Sequence, residues 1–326
     1  MRMLTRRLVF YLITALAAVT VDFLIPRLMP GNPVEAILAR LQGQITAGTV
    51  RSLELQYGLN TRTGLWGQYV TYLGNIVHGN LGTSTGYYPS SVASVIKGAL
   101  PWTVGLVGVA TVISFILGTA IGALVAWRRG SWLDNLLPVT TFFQAAPYFF
   151  LAFLAIELFA VKLGWFPYGL GQNQLDYQTG LAPGHVADVL DHAALPALTI
   201  VVASAAGWMV GMRNQMLTTM DEDYVLIAQA KGLPKQKVVW YAARNAILPS
   251  VSGFSLAIGF VVSGALLTEI VFSYPGIGFV LYQAVINHDA PLMQGIFLII
   301  TIAVLAANLI ADFAYLVLDP RTRQEA

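Results

Sequence analysis

LPWTVGLVGVATVISFILGTAIGALVAW, Leu100–Trp127, runs for 28 residues without a charged side chain. A helix crosses a bilayer core of ~30 Å in ~20 mostly apolar residues. A helix on the surface of a soluble domain keeps a polar face, and this segment has none. Arg128-Arg129 close the run, as expected at a membrane surface. Five more segments behave in the same way. They are Leu8–Leu28 with Asp22, Leu136–Val161 interrupted by Glu157, Ala193–Met212, Ala246–Thr268, and Ala290–Leu318 with Asp312. The expected fold is therefore all-α, a polytopic membrane protein with six transmembrane helices.

The composition agrees. Of 326 residues, 56% are hydrophobic and only 10% charged, and mean hydropathy is +0.67. Soluble domains carry ~25% charged residues. A disordered chain, a nucleic-acid-binding protein and an ordinary cytosolic enzyme are excluded on these grounds. The net charge of +2 suggests no acidic partner, and the lack of Cys rules out disulfides and thiolate chemistry. Arg2, Arg6 and Arg7 precede the first apolar run, and Ala15-Leu16-Ala17 resembles a cleavage site. The run continues past it, which favours an uncleaved signal-anchor helix.

Lys and Arg set the orientation. With the N-terminus inside, cytoplasmic segments hold 12 of the 18 basic residues, and the outer loops at 164–192 and 273–289 hold none. Both termini are expected to be cytoplasmic. The chain then divides into an N-terminal helix (1–29), an extracytoplasmic subdomain (30–99), a five-helix core (100–318) and a short cytoplasmic tail (319–326). Helical patterns at Val50–Tyr57 and Leu65–Ile76 lie in the subdomain, and a cytoplasmic loop at 213–245 interrupts the core.

That loop is the most informative part of the chain. Asp221-Glu222-Asp223 suits a helix N-terminus. Lys231 followed by Gly232 suits the left-handed residue that ends a helix, and Pro234 suits the first turn of another. A short helix, a tight turn and a second helix are expected, with Ala228, Ala230, Gly232 and Leu233 at an exposed apolar tip.

Asp223-Tyr224-Val225, Ala228-x-Ala230-Lys231-Gly232-Leu233 and Arg244-Asn245-Ala246-x-Leu248-Pro249 together resemble the EAA-type loop of binding-protein-dependent ABC importer permeases. The likeness is to the dipeptide/oligopeptide/nickel family. Pro30-Gly31-Asn32-Pro33 and Gly79-Asn80-Leu81-Gly82-Thr83-Ser84 match further motifs, with Asn at two positions where that family has Asp. Arg128–Asp134, Leu163–Pro167 and Glu269-x-x-Phe272-x-x-Pro275-Gly276-x-Gly278 continue the match in order. The loop departs from the motif in lacking a Glu at its start and in carrying Gln229 where a basic residue is common.

The resemblance implies the ABC importer permease fold and a translocation path worked by alternating access. It implies two ATPase subunits, a homologous second permease subunit and an extracytoplasmic solute-binding protein as partners. It also assigns ATPase coupling to Asp223, Tyr224, Ala228, Ala230, Lys231, Gly232, Leu233, Arg244, Asn245 and Pro249. No G-x-x-x-x-G-K-[ST] phosphate loop occurs, so no cofactor is expected in this chain; ATP and Mg would sit on the partner subunits. The chain is thus expected to be a transport subunit rather than an enzyme. Peptides are the expected cargo, and oligosaccharides or a nickel chelate are the alternatives. An ATP-independent secondary transporter is a further alternative, for which no inverted repeat of broken helices is evident.

Gln144, Pro147, Glu157 and Glu269 are the candidates for the translocation path. Pro147 should kink its helix, and kinked helices line cavities. Glu157 has two readings, a path charge or a surface group paired with Lys162. Glu269 is expected to organise the Pro275-Gly276 turn or a gate. Asp22 and Asp312, close to helix ends, read as structural. His78, His185, His192 and His288 are scattered rather than spaced as ligands, so no metal site is expected. Gly118-x-x-x-Gly122 and Gly207-x-x-x-Gly211 read as helix-packing sites. The many aromatics near Trp66, Tyr87 and Trp165 read as an interfacial belt, with a stacking vestibule as the second reading.

Overall fold

The computed structural model describes residues 2–28, 64–128, 130, 132, 137–173, 182–261 and 265–318. Pro30–Pro33, Val50–Tyr57, most of 128–134 and the Asp312 side chain lie outside the described set. Among the described residues thirteen α-helices follow in order: α1 (Arg2–Leu28), α2 (Leu65–Val77), α3 (Val92–Thr103), α4 (Val109–Trp127), α5 (Leu137–Ala145), α6 (Tyr148–Ala155), α7 (Pro183–Met220), α8 (Asp223–Ala230), α9 (Lys235–Ala246), α10 (Leu248–Phe260), α11 (Leu266–Val271), α12 (Ile277–Ile286) and α13 (Ala290–Leu318). π-helical segments follow α3 at Val104–Gly108 and α6 at Ile156–Lys162. Among the described residues the β-structure is limited to one bridge, Thr83 to Ser91.

Among the described residues four helical runs are long and apolar enough to cross a membrane: Val9–Leu28, Val92–Trp127, Pro183–Met220 and Ala290–Ile310. The expected third span is broken instead of continuous, because Pro147 ends one helix and caps the next. Pro138–Ala145 and Tyr148–Lys162 meet at 102°, and counting them as one span makes five. The expected fifth span is likewise divided into α10 and α11. The all-α polytopic fold holds; the described residues account for four or five of the six expected spans. The fourth span is longer than its apolar stretch. At 1.5 Å per residue the 38 residues of α7 reach about 57 Å, well beyond a bilayer core.

The chain forms two compact units. One comprises Met1–Trp102 and Pro275–Ala306. Within it the Phe23 ring meets Tyr69 edge-on at 5.1 Å and Tyr72 at 5.6 Å, and Arg27 lies 3.5 Å over the Phe23 ring. The Thr20 hydroxyl meets the Tyr69 hydroxyl at 2.7 Å, fixing α2 on α1. Gly79 and Gly82 take positive φ, and the Asn80 side chain accepts from the Gly82 N–H at 3.0 Å. This turn leads the chain back to bury Ser84, whose hydroxyl donates to Asp289. Asp289 also accepts the Gly86 N–H at 2.8 Å and the Leu292 N–H at 3.1 Å, capping α13.

The other unit comprises Thr103–Tyr274 and Ala307–Glu325. Its centre is the packing of α4 on α7. A Cβ on Gly118 would lie 2.5 Å from the Ala205 carbonyl and 2.6 Å from Trp208 Cβ, so only glycine permits this approach. Phe115 stacks on Phe254 of α10 at 4.3 Å and meets Trp208 edge-on at 5.2 Å.

Candidate functional site

Two features of the second unit stand out. The first is the hairpin α8–α9 on the tail of α7. Glu222 in extended conformation caps α8, and Asp223 places a carboxylate in its first turn, where the helix dipole favours it. After Lys231 the chain reverses at Gly232, with φ of +72°, a conformation that L side chains rarely adopt. The Gly232 and Leu233 N–H groups return to the Gln229 and Ala228 carbonyls, satisfying acceptors that the helix end leaves open. Pro234 caps α9 instead of entering its first turn.

Val225, Val238, Ala242 and Ala246 bury against Met212, Met216 and Ala126. Each large side chain fully buried there contributes roughly 1.5–3 kcal/mol, so the hairpin is anchored to α7 as a stiff unit. The orientation of its tip differs from the sequence expectation. Ala228 and Leu233 turn inward onto this cluster, while Tyr224, Leu226, Ile227, Ala230, Lys231 and Gly232 are exposed. Arg244, Asn245 and Pro249 are also exposed, near the junction with α10. A cavity of about 460 Å³ opens at the hairpin root beside Trp127, Gln229 and Lys235.

The second feature is a cavity of about 480 Å³ lined in part by Val107, Thr111, Tyr148, Ser204, Ala257 and Thr268. Among the described residues its wall carries no carboxylate, amine, guanidinium or imidazole group. The residues singled out from sequence surround it unevenly. Pro147 creates the break that presents Tyr148. The Gln144 amide lies 3.5 Å from where a Cβ on Gly207 would sit, which places it beside α7. Glu269 follows Thr268 and is fully buried, accepting the Thr103 hydroxyl at 2.8 Å. Burial, and then the Glu269 charge, push the Tyr274 phenol up to about 12, so it stays neutral. The Tyr274 N–H returns to the Glu269 main-chain carbonyl at 2.8 Å, satisfying an acceptor at the end of α11.

Glu157 is elsewhere. Its side chain is 58% exposed in the π-helical segment and pairs with Lys162 at 3.4 Å, the second of its two sequence readings. Asp22 is buried in α1, its backbone carbonyl accepting from Gln294 at 3.4 Å. His192 pairs with Asp188 at 3.4 Å, one turn away on α7. Thr103, Tyr148, Ser204, Thr268 and Asp289 were not legible as site residues. For Tyr148 a usable signal existed, since it directly follows the kink-forming proline.

Membrane-length helices, a cavity between interrupted helices and a stiff exposed hairpin define a polytopic membrane protein. Residues 118–324 match the family described as binding-protein-dependent transport system inner membrane component. The chain belongs to that family. It is 34% identical to a peptide permease protein of Brucella suis over 325 residues, covering 99% of both chains. It is 32% identical to the di/tripeptide transport system permease protein DppB of Pseudomonas aeruginosa, covering 99% of this chain and 98% of that one. Identity to the oligopeptide transport system permease protein AppB of Bacillus subtilis is 30%, covering 97% of each.

Proposed function

We propose that the chain is the translocation-path subunit of an ATP-driven importer of di- and oligopeptides. It works beside a homologous second permease subunit, two ATPase subunits and an extracytoplasmic solute-binding protein. ATP and Mg are held by the ATPase partners. The basic residues favour cytoplasmic termini and a cytoplasmic hairpin. The relatives named for peptide transport support the cargo class.

The observation that carries this reading is the α8–α9 hairpin, packed rigidly at its root and exposed at its tip. A lever must be stiff to transmit a coupling free energy of a few kcal/mol between sites. Closure of the ATPase dimer displaces the hairpin, α7 carries the displacement toward the cavity, and access alternates between the two membrane faces.

Gly232 provides the test. A β-branched residue at positive φ costs roughly 1–2 kcal/mol in backbone strain. No neighbouring atom lies within 4 Å of a Cβ placed there, so packing is undisturbed. Gly232→Val should leave the complex assembled and lower ATP-dependent peptide uptake by about tenfold or more. Gly232→Asn, which tolerates the left-handed region, should retain most uptake. Normal uptake by an assembled Gly232→Val complex would overturn the coupling role.

A further inference from the structure

The helix α2, Leu65–Val77, has no charged residue along its 13 positions, and none of its side chains is fully buried. A surface helix of a soluble domain carries charged or polar residues opposite its packed face. At 3.6 residues per turn α2 instead divides into three faces. Tyr69, Tyr72 and Ile76 share one, within about 60° of one another. Trp66, Val70, Leu73 and Val77 share a second of about the same width. Gly67, Thr71 and Asn75 form the third, across about 80°.

The first face is the packed one, and its contacts fix the depth of the helix. Tyr69 reaches Thr20 and Phe23 of α1, and Tyr72 reaches Phe23. Gln68 accepts from Arg27, in the last turn of α1, at 3.2 and 3.3 Å. Thr20 lies roughly 12 Å along the helix from Leu28, at 1.5 Å per residue. α2 is therefore held alongside the final turns of Val9–Leu28, a run long and apolar enough to cross a membrane. At the same level α1 exposes Val21 and Leu24.

The second face is open among the described residues: Trp66 is 75% exposed, Val70 51% and Val77 82%. Single exposed apolar residues are ordinary on a protein surface, but a stripe of them along one helix marks a contact surface. Its depth selects the occupant. A protein partner arriving from water would have to reach a stripe level with Thr20 and Phe23, inside the apolar run of α1. Lipid surrounds a spanning helix at that level, and Trp and Tyr collect where the bilayer meets water. The third face suits the water side, with the Thr71 hydroxyl donating to the Gly67 carbonyl at 2.9 Å and Asn75 exposed.

We propose that α2 is an interfacial helix, lying along the membrane–water boundary at the C-terminal end of α1, with Trp66, Val70 and Val77 in lipid and Thr71 and Asn75 toward water. The stretch 30–99, expected from sequence to be an extracytoplasmic subdomain, returns to the membrane at α2. Because α2 carries no charge, apolar burial holds it there rather than attraction to anionic headgroups. The helix hands the chain to the turn at Gly79 and Gly82, so its depth sets the height of that turn and of Ser84 at the membrane surface. The proposal needs α1 to cross the membrane and is independent of cargo and of coupling to an ATPase.

The chain has no native cysteine, so single nitroxide labels can be placed on the full chain at Val70→Cys, Val77→Cys, Thr71→Cys and Asn75→Cys. Each is reconstituted in phosphatidylcholine vesicles, alone and with the other proposed importer subunits. Oxygen, which partitions into lipid, should relax the labels at Val70 and Val77 at least about threefold more than water-soluble chromium oxalate does, and the order should reverse at Thr71 and Asn75. Four labels that all favour chromium oxalate would place α2 in water and overturn the proposal. Labels at Val70 and Val77 that neither reagent reaches once the other subunits are bound would make protein the occupant and overturn it equally. If a labelled variant fails to insert, the unaltered chain decides. A phosphatidylcholine with a photoactivatable diazirine on its acyl chain should form adducts at Trp66, Val70 or Val77. Adducts on α1 near Val21 and Leu24 with none on α2 would overturn the interfacial helix while leaving α1 as a span.

Discussion

Asp289 shows how much of the first unit depends on one carboxylate. It is fully buried and accepts three hydrogen bonds, from the Ser84 hydroxyl and the Gly86 and Leu292 N–H groups. Removing the acceptor strands these donors where water enters poorly. Asp289→Ala should destabilise the protein by about 3 kcal/mol, read as a lower unfolding temperature of the purified chain in mild detergent. Asp289→Asn, which keeps a carbonyl oxygen, should lose less. An unchanged unfolding temperature in Asp289→Ala would show that the hub holds nothing. None of this was legible in the sequence, because Ser84 and Asp289 are 205 residues apart and a lone Asp before an apolar run reads as an ordinary helix start. Glu157 was legible in chemistry but not in role. An acid within an apolar stretch can face a path or pair at the surface, and only placement beside Lys162 decided it. At Gly232 the residue type was enough, since glycine after a helix-ending lysine asks for the left-handed turn that is observed.

At the scale of elements, the two Gly-x-x-x-Gly pairs invite the idea that they pack on each other. They do not. Gly118 and Gly122 of α4 face Ala205, Trp208, Met209 and Met212 of α7, whereas Gly207 faces Gln144 and Gly211 faces open space. Gly118→Leu would push a side chain into backbone and Trp208. A loss of at least about 1–3 kcal/mol is expected, measured by thermal unfolding. Gly211→Ala should instead be neutral or stabilise by up to ~1 kcal/mol, because alanine is the better helix former and nothing obstructs it. If both variants unfold alike, the close approach of α4 and α7 does not depend on Gly118. Periodicity and composition locate such helices well, since an apolar run announces itself locally. Their interruptions are harder to read. Pro147 marks one, and the π-helical turn at Val104–Gly108 follows Pro101 in the same helical run, but a proline alone does not say whether a helix will break or widen.

At the scale of the molecule, the hairpin and the cavity belong to one unit, and α7 serves both, carrying Ser204 beside the cavity and Met212 and Met216 under the hairpin. A single 38-residue helix makes a stiff connection between them. Expressed with the other proposed importer subunits and extracted in mild detergent, the chain should therefore co-purify with an ATPase subunit, and recovery without one would count against the importer reading. The amino-acid sequence alone determined the solvent, the helical class and the position of the hairpin. These follow from local properties, namely apolar run length, charge placement and the turn chemistry of Gly232 and Pro234. The tertiary structure alone decided that interrupted helices share a cavity, that α2 packs beside the end of α1 and that Asp289 gathers a distant loop. Each of these depends on residues far apart in the chain meeting in space, which no local pattern encodes.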